Sequence, residues 1–226
     1  MLCYRAGTSI LRVVEPLYQD LRDADVPFEL ILVANYNEGA DDTTPRVVKD
    51  FAVTHEHVRH IADVKQGAMG WDMRSGFATA RGDYLIVIDG DAQNPVEDLV
   101  KMYHEMKSTG AQVMKGRRIA RFDGPYRRLV SWTYNTMFKV LFGTHGLWDI
   151  NGKPKGLTRG AYEQLELRSD DWFIDAEIMI TARRLGLSIA EMPVVFRRND
   201  DRASFVRVSA IWEFLANMVR ARVSRR

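Results

Sequence analysis

One stretch decides how this chain folds: Leu85-Ile86-Val87-Ile88-Asp89-Gly90-Asp91-Ala92-Gln93-Asn94-Pro95. Its first four residues are apolar and mostly β-branched, which is typical of a buried strand. Two acids follow, and Pro95 then opens a helical pattern with Glu97 and Asp98 in its first turn. The stretch therefore predicts a strand, a short acidic loop and a helix, as found in open α/β sheets.

The two acids, Asp89 and Asp91, follow the carboxyl end of the predicted strand, which is where ligands bind in open α/β sheets. An Asp-x-Asp loop presents two hard oxygen ligands to one divalent cation, and such a cation is usually shared with substrate phosphates. The same residues also suit an acidic helix cap, because carboxylates are favoured at helix N-termini. The spacing alone leaves both interpretations open.

Helix and strand patterns alternate through the first two-thirds of the chain. The periodicity predicts helices over 9–21, 44–54, 72–80 and 95–107, and strands over 28–34, 58–61, 85–88 and 112–115. Such alternation favours the α/β class, with an open, mostly parallel sheet and helices on both faces.

The two ends of the chain are less regular. The last third predicts an apolar helix over 125–142, an amphipathic helix over 173–185, a strand over 188–196 and a final amphipathic helix over 206–223. Residues 1–4 leave room only for the end of a first strand. We therefore expect either that this strand is truncated or that the natural start lies upstream.

Composition indicates one globular domain. The 226 residues are 46% apolar and 27% charged, which is ordinary for a soluble protein. The single cysteine, Cys3, excludes an internal disulfide and suits a reducing compartment. No signal peptide is visible, and no apolar stretch approaches the ~20 residues that span a bilayer.

The charge is distributed unevenly along the chain. The net charge is +2, but residues 197–226 hold eight arginines against three acids and so carry +5, which leaves −3 for the rest. This basic tail indicates an anionic surface as partner.

With these elements in order, the chain resembles the family 2 glycosyltransferases, and among them the dolichyl- and polyprenyl-phosphate sugar synthases. The acidic loop, residues 89–95, is similar to the family's Asp-Ala-Asp-x-Gln-x-Pro. The other segments that resemble family motifs are 3–7, 34–37 with 42–44, 68–76, 80–83, 116–118, 127–131, 149–152 and 173–177. The resemblance implies a GT-A-like fold and transfer of a sugar from a nucleotide diphosphate.

The resemblance also implies roles for particular residues. Asp89, Asp91 and Gln93 would hold Mg²⁺ or Mn²⁺ and the donor diphosphate, because a cation neutralises the charge that develops on the leaving group. The implied donor-binding residues are Asn35, Asp42, Gly70, Asp89 and Gly90, and the implied catalytic residues are Asp91, Asp175 and Glu177. Lys65, near the same pocket by resemblance, is interpreted as a solvated surface lysine.

The chain departs from the family pattern in the closing segment, 199–204, where the family's Arg and Gly are displaced, and at two positions near the donor. Ala34 and Asn35 stand where the family has an acid pair that binds the nucleotide base. Asn35 still offers hydrogen bonds to a pyrimidine edge, but without a charge. The sequence therefore predicts neither the base nor the sugar.

The acceptor side is predicted from the apolar helix over 125–142. Arg127, Ser131 and Asn135 recur every four residues and so lie on one stripe of that helix. Arg127 and Ser131, with Arg118, suit an acceptor phosphate, because guanidinium groups bind phosphate oxygens in pairs. The alternative is a core helix with one solvated edge.

Asp175 and Glu177 are the candidate general bases. Two residues apart on a helix, they point about 200° apart, so only one can face the site. A phosphate acceptor has a second pKa near ~6 and is largely dianionic at neutral pH, so it needs no base. A hydroxyl acceptor would need one.

The sequence thus predicts an inverting glycosyltransferase that uses a nucleotide sugar and a polyprenyl phosphate or other lipid acceptor. The alternatives are transfer to a hydroxyl in polysaccharide or glycolipid synthesis, and a decayed, non-catalytic donor-binding protein. We predict a catalytic domain over 1–205 and an amphipathic basic helix over 206–226. This helix either lies on a membrane surface or docks on the domain. We expect a peripheral protein at the cytoplasmic face of the cell membrane, with no nucleic-acid partner.

Overall fold

The structure is a computed structural model that describes residues 1–121, 136, 138, 139, 142 and 149–197. The strands in that part of the chain are β1 (Leu30–Val33), β2 (Val58–Ile61), β3 (Tyr84–Val87), β4 (Val113–Arg121), β5 (Lys155–Thr158) and β6 (Ile189–Phe196). The α-helices there are α1 (Leu11–Asp23), α2 (Thr44–Thr54), α3 (Met69–Thr79), α4 (Glu97–Thr109), α5 (Arg159–Leu165) and α6 (Ile174–Arg184). A short 3-10 helix, Gly7–Ile10, precedes α1.

The strands form two hydrogen-bonded groups. β1 pairs with β2 in parallel, and the order in the other group is β3-β5-β4-β6. β4 and β6 are parallel, whereas β5 runs antiparallel to both of its neighbours. The predicted α/β class is confirmed, and β5 is the antiparallel element in it.

The N-terminal residues join the two groups of strands. Leu2 forms parallel bridges with Val33 at the end of β1 and with Asp89 just after β3. The N–H of Leu2 donates to the Ile88 carbonyl at 3.0 Å, and the Leu2 carbonyl accepts the N–H of Gly90 at 2.9 Å. The backbone of the Asp-x-Asp loop is therefore anchored on the first residues of the chain.

Helices cover both faces of the sheet, as the side chains of β3 and the residue after it show. Leu85 and Val87 belong to a buried cluster that includes side chains of α3 and α6. Ile88 belongs to a second cluster with side chains of α1 and α2, and Ile86 packs against it. Because successive side chains of a strand point to opposite faces, these two pairs of helices lie on opposite sides.

Three elements differ from the prediction. β4 continues to Arg121, because it pairs with β6 along most of its length. β5 and α5 have no predicted counterpart, since the Lys-Gly-Leu-Thr sequence of β5 has no apolar periodicity. The predicted helix over 206–223 lies outside the described residues, as does most of the one over 125–142. Within the described part of the chain, no helix is long and apolar enough to cross a membrane.

Candidate active site

The loop after β3 carries its two acids on either side of a glycine that has no room for a side chain. A Cβ on Gly90 would lie 2.6 Å from Cδ1 of Ile10 and 2.8 Å from the carbonyl oxygen of Leu2. The loop therefore needs glycine here because it packs directly on the N-terminal residues. This contact fixes where Asp89 and Asp91 leave the backbone.

Burial and the neighbouring Asp89 change the ionisation of Asp91. The pKa of Asp91 is raised to about 6, mainly by burial and also by the neighbouring Asp89 carboxylate. The backbone N–H of Gln93 donates to an Asp91 carboxylate oxygen at 3.0 Å, and this hydrogen bond lowers the pKa of Asp91. A cation bound at both carboxylates would favour the charged form of Asp91.

The ligand atoms at this loop fit a divalent cation. Both acids supply hard carboxylate oxygens, and the amide nitrogen of Gln93 donates to the Arg197 carbonyl at 3.3 Å, which leaves the amide oxygen as the ligand atom. Among the residues that the structure describes, no group of three or more His, Cys, Asp and Glu side chains could hold a metal ion. A cation at Asp89 and Asp91 would therefore complete its shell with water or substrate oxygens, which is usual for Mg²⁺.

A buried lysine pairs with the first acid of the loop. Nζ of Lys153 donates to Asp89 at 2.7 Å, and the Lys153 side chain is only 4% exposed. Burial opposes the charge of Lys153, but Asp89, Asp175 and Asp91 outweigh it and raise the pKa. Sequence reasoning missed Lys153, because a lysine is normally solvated and no periodicity marks this one as buried.

Two further lysines are fully buried beside acids. Lys155 donates to a carboxylate oxygen of Asp175 and, at 3.1 Å, to the Ile150 carbonyl. Burial lowers the pKa of Lys155 to about 8, although Asp175 opposes this change. Lys115 pairs with Glu191, and burial lowers its pKa as well. These acids are needed because an unpaired buried charge is strongly destabilising.

The two candidate bases have different surroundings, as their spacing predicts. Asp175 is buried and close enough to Lys153 to raise the pKa of that lysine. Glu177 instead accepts the backbone N–H groups of Arg168 at 3.0 Å and Ser169 at 2.9 Å. Asp175 therefore serves the buried lysines, with Lys155 as its direct partner, and Glu177 holds the loop before α6. The catalytic role of either acid stays a prediction.

The donor candidate Asn35 is buried in a hydrogen-bond network. Its amide nitrogen donates to Asp72 at 3.0 Å and Ser75 at 3.2 Å, and its oxygen accepts the N–H of Asp63 at 2.9 Å. Lys65 pairs with Asp72 and has a side chain only 8% exposed, so its interpretation as a solvated lysine is wrong. The buried Asp72 carboxylate provides the counter-charge that keeps Lys65 inside. A base contact by Asn35 stays a prediction.

Asp42 and Gly70 also have partners within the protein. Asp42 accepts the backbone N–H of Thr44 at 3.0 Å and its hydroxyl at 2.5 Å, at the start of α2. A Cβ on Gly70 would overlap the carbonyl oxygen of Ser169 and lie 2.6 Å from that of Asp171. The close approach at Gly70 is therefore made to protein backbone, and contact of either residue with the donor stays a prediction.

The acceptor candidate Arg118 is held by an acid on a neighbouring segment. Its Nε and Nη2 both donate to the Asp149 carboxylate, and its guanidinium lies 5.0 Å from the ring centroid of Phe196. Burial alone would raise the pKa of Asp149, but Arg118 lowers it. The other two acceptor candidates, Arg127 and Ser131, lie outside the described residues.

The predicted residues thus fall into separate groups. Asp89 contacts Lys153, Asp91 and Asp175 help to raise the pKa of that lysine, and Gln93 lies next to Asp91. The residues held in networks of their own are Asn35, Asp42, Gly70, Arg118 and Glu177.

This mixed α/β sheet, with an Asp-x-Asp loop anchored beside its first strand, has the GT-A-like fold of nucleotide-sugar transferases. Comparison with known families gives the more particular assignment. Residues 1–165 match the family "Glycosyl transferase family 2", and the chain belongs to that family. The resemblance noted in the sequence is therefore confirmed.

Curated relatives match most of the chain but are themselves longer. The chain is 25% identical over 214 residues to the dolichyl-phosphate beta-glucosyltransferase ALG5A of Trichomonas vaginalis, covering 91% of this chain and 64% of that protein. It is 29% identical over 213 residues to the glycosyltransferase AglD of Haloferax volcanii, covering 90% of this chain and 33% of that protein. An undecaprenyl-phosphate 4-deoxy-4-formamido-L-arabinose transferase of Pectobacterium atrosepticum is 28% identical over 137 residues, 60% of this chain and 41% of that protein.

Solved structures share the fold at low identity. Mannosyl-3-phosphoglycerate synthase from Rubrobacter xylanophilus aligns with a TM-score of 0.69 at 13% identity, over 98% of this chain and 72% of that one. Glucosyl-3-phosphoglycerate synthase from Mycobacterium tuberculosis, in complex with Mn²⁺, uridine diphosphate and phosphoglyceric acid, aligns with a TM-score of 0.64 at 17% identity. That alignment covers 93% of this chain and 75% of the other.

Proposed function

We propose that this chain is a metal-dependent, inverting glycosyltransferase that moves a sugar from a nucleotide diphosphate to a polyprenyl phosphate. The observation that carries the proposal is the pair of carboxylates, Asp89 and Asp91, on the loop that follows β3 in a family 2 chain. We further propose that it works as a peripheral protein at the cytoplasmic face of the membrane. The +5 charge of residues 197–226 supports that location.

The proposed transfer exchanges one carbon–oxygen bond for another. An oxygen of the acceptor phosphate attacks the anomeric carbon of the sugar. The bond from that carbon to the donor's β-phosphate oxygen breaks, and its electron pair leaves with the nucleoside diphosphate. Attack opposite the leaving group inverts the anomeric configuration. A divalent cation bound at Asp89 and Asp91 would supply charge stabilisation for the departing diphosphate.

The acids of the chain have positioning roles in this reaction. A phosphate acceptor with a second pKa near ~6 is already largely dianionic at neutral pH, so no proton has to be removed from it. Asp175 favours the charged forms of Lys155 and Lys153. Glu177 fixes the loop that packs on α3 through the Arg168 and Ser169 backbone.

The acceptor class is proposed from the similarity to a dolichyl-phosphate and an undecaprenyl-phosphate transferase. Asp149 fixes the Arg118 guanidinium, and we propose that Arg118 binds the acceptor phosphate together with Arg127 and Ser131. Arg127 and Ser131 are four residues apart and therefore lie on the same side of a predicted helix.

A transfer assay tests the acceptor. The full chain is incubated with Mn²⁺, a panel of radiolabelled UDP-, GDP- and dTDP-sugars, and either a short-chain polyprenyl phosphate or the matching polyprenol. We expect label to enter the polyprenyl phosphate and not the polyprenol, and Asp91→Asn to reduce the rate at least tenfold. Labelled polyprenol would instead establish the hydroxyl-acceptor alternative. Donor binding without transfer to either acceptor would favour a non-catalytic protein.

A further inference from the structure

We propose that Lys153 is a resident cation of the Asp-x-Asp loop, which weakens the binding of a free divalent ion and makes cation and nucleotide diphosphate bind together. The inference rests on the proposed function, because it concerns the same two acids, Asp89 and Asp91. It assigns a positioning role to a lysine that no sequence motif marks.

The contact between Lys153 and Asp89 is buried on one side only. The Lys153 side chain is 4% exposed and the Asp89 side chain 34% exposed, with 2.7 Å between Nζ and the carboxylate oxygen. Within the described part of the chain, Asp89 is the only acid within ion-pair distance of Lys153. The other contact of Nζ is Sδ of Met69 at 3.1 Å, a weak acceptor. Asp89 therefore has the lysine on one side and remains accessible on the other.

The backbone that carries Lys153 is fixed against β4. A Cβ on Gly152 would overlap the carbonyl oxygen of Gly116, and the N–H of Gly116 donates to the Pro154 carbonyl at 2.8 Å. Residues on both sides of Lys153 are thus in close contact with one strand. The ammonium cannot leave Asp89 by a shift of the backbone unless these contacts break.

The charges explain why a resident lysine changes metal binding. Asp89 and Asp91 together carry −2 when both are ionised, and Lys153, paired with Asp89, offsets one of these charges. A divalent ion that shares Asp89 with an ammonium meets a like charge at close range, where Coulomb repulsion is strong. The negative charge of a bound nucleotide diphosphate offsets the repulsion between the divalent ion and the Lys153 ammonium. By linkage, cation and diphosphate must then raise each other's affinity by the same factor.

A purely structural ion pair would behave differently. If Lys153 served only to fill and hold the interior, its replacement would lower stability and leave the affinity for a free cation unchanged or weaker. If Lys153 competes with the cation, a neutral residue at the same place must tighten cation binding. Whether the replacement of Lys153 tightens or weakens cation binding therefore separates the two roles.

The experiment measures Mn²⁺ binding to the full chain without nucleotide, from the electron paramagnetic resonance signal of free Mn²⁺. Lys153→Gln removes the charge and keeps a hydrogen-bond donor for Asp89. We expect it to bind Mn²⁺ about tenfold more tightly than the natural chain, and the increase in Mn²⁺ affinity caused by UDP to shrink correspondingly. Lys115→Met is the matched control, because it removes a buried lysine that pairs with Glu191. Its Mn²⁺ affinity should equal that of the natural chain.

The outcomes separate this inference from the proposed function. Equal or weaker Mn²⁺ binding by a folded Lys153→Gln overturns the inference. If that variant does not fold, the natural chain decides, because unchanged Mn²⁺ affinity on addition of UDP also overturns it. Mn²⁺ binding that is lost in Asp91→Asn but unaffected by Lys153→Gln leaves the proposed metal site intact. If neither the natural chain nor any of its variants binds Mn²⁺, both the proposed metal site and this inference are wrong.

Discussion

At the scale of single residues, the unusual feature of this protein is its buried lysines. Lys115 and Lys155 are fully buried and Lys153 is 4% exposed, each beside a carboxylate. Replacing such a pair by apolar residues is often neutral or stabilising, so buried pairs are weak evidence of a stabilising role. Lys153 differs from the other two because it contacts the Asp-x-Asp loop itself, where positive charge would favour a bound diphosphate.

Lys155 should make the protein more stable as the pH rises from 8 to 10. Burial lowers its folded-state pKa to about 8, whereas an unfolded lysine titrates near ~10.4. Between these values the unfolded chain holds a proton that the folded chain has released, so the free energy of unfolding increases with pH. In urea, the free energy of unfolding of the natural chain minus that of Lys155→Met should increase by about 2 kcal/mol from pH 7 to pH 10.

The control for this pH effect is Lys101→Met, which removes a lysine with a half-exposed side chain. The stability difference for that variant should stay constant over the same pH range. A difference for Lys155→Met that stays constant or shrinks with pH would mean that Lys155 remains charged in the folded protein up to pH 10.

At the scale of helices and strands, the elements with local signals were predictable. α2 and β2 have the predicted bounds, 44–54 and 58–61, because Thr-Pro opens the helix and a short apolar-flanked run forms the strand. The Asp-x-Asp loop was equally predictable, since a buried strand ends directly before it. These elements depend on residues close together in the chain.

The elements that escaped prediction depend on distant contacts. β5 begins with Lys155, whose charge indicates a solvated residue until Asp175, 20 residues later, is placed beside it. The same holds for Lys153, whose partner Asp89 is 64 residues away. The prediction for Lys65 is wrong although its partner is close in sequence, because Asp72, seven residues later, lies beside this lysine only in the folded chain. Charge pairing across the fold leaves no periodic signal in the sequence.

The packing of α3 on the loop before α6 gives a prediction at the element scale. Gly70→Ala should lower the free energy of unfolding by about 2 kcal/mol, because its Cβ would overlap the backbone carbonyls of Ser169 and Asp171. Gly160→Ala is the matched control, because it lies in α5 and no atom is within 4 Å of the place that its methyl group would take. Alanine there should be neutral or stabilising by up to about 1 kcal/mol. Equal stabilities of the two variants in urea would contradict the close packing at Gly70.

At the scale of the whole molecule, the basic tail starts beside the candidate active site. The N–H of Arg197, just after β6, donates to the Gln93 carbonyl at 2.7 Å, and its guanidinium lies 3.1 Å from Glu97. The chain therefore passes the Asp-x-Asp loop before residues 198–226 begin. A membrane-bound tail would bring this loop to the surface where a lipid phosphate is found.

Membrane association through residues 206–226 is the last prediction, and it stays a sequence-based one. Six apolar residues there follow helical spacing: Val208, Ile211, Trp212, Leu215, Met218 and Val219. The arginines that crowd the end are Arg220, Arg222, Arg225 and Arg226. A helix with one apolar face and a basic end suits the headgroup layer of a membrane. Each basic residue near anionic lipid adds about 1 kcal/mol to the binding free energy.

Sedimentation with anionic vesicles tests this association on the full chain. Replacing the four terminal arginines by glutamine should lower the partition coefficient at least tenfold at low salt, because the summed electrostatic attraction is lost, and added salt should lower it for the natural chain. The control replaces four exposed arginines of the described fold by glutamine, Arg46, Arg81, Arg168 and Arg183. The control variant changes the net charge by the same amount. If residues 206–226 contact the membrane, this variant should still bind most of the vesicles that the natural chain binds. Equal losses in both variants would show that overall charge, and not this helix, attracts the protein to the membrane. A natural chain that ignores anionic vesicles would favour the alternative in which the helix docks on the domain.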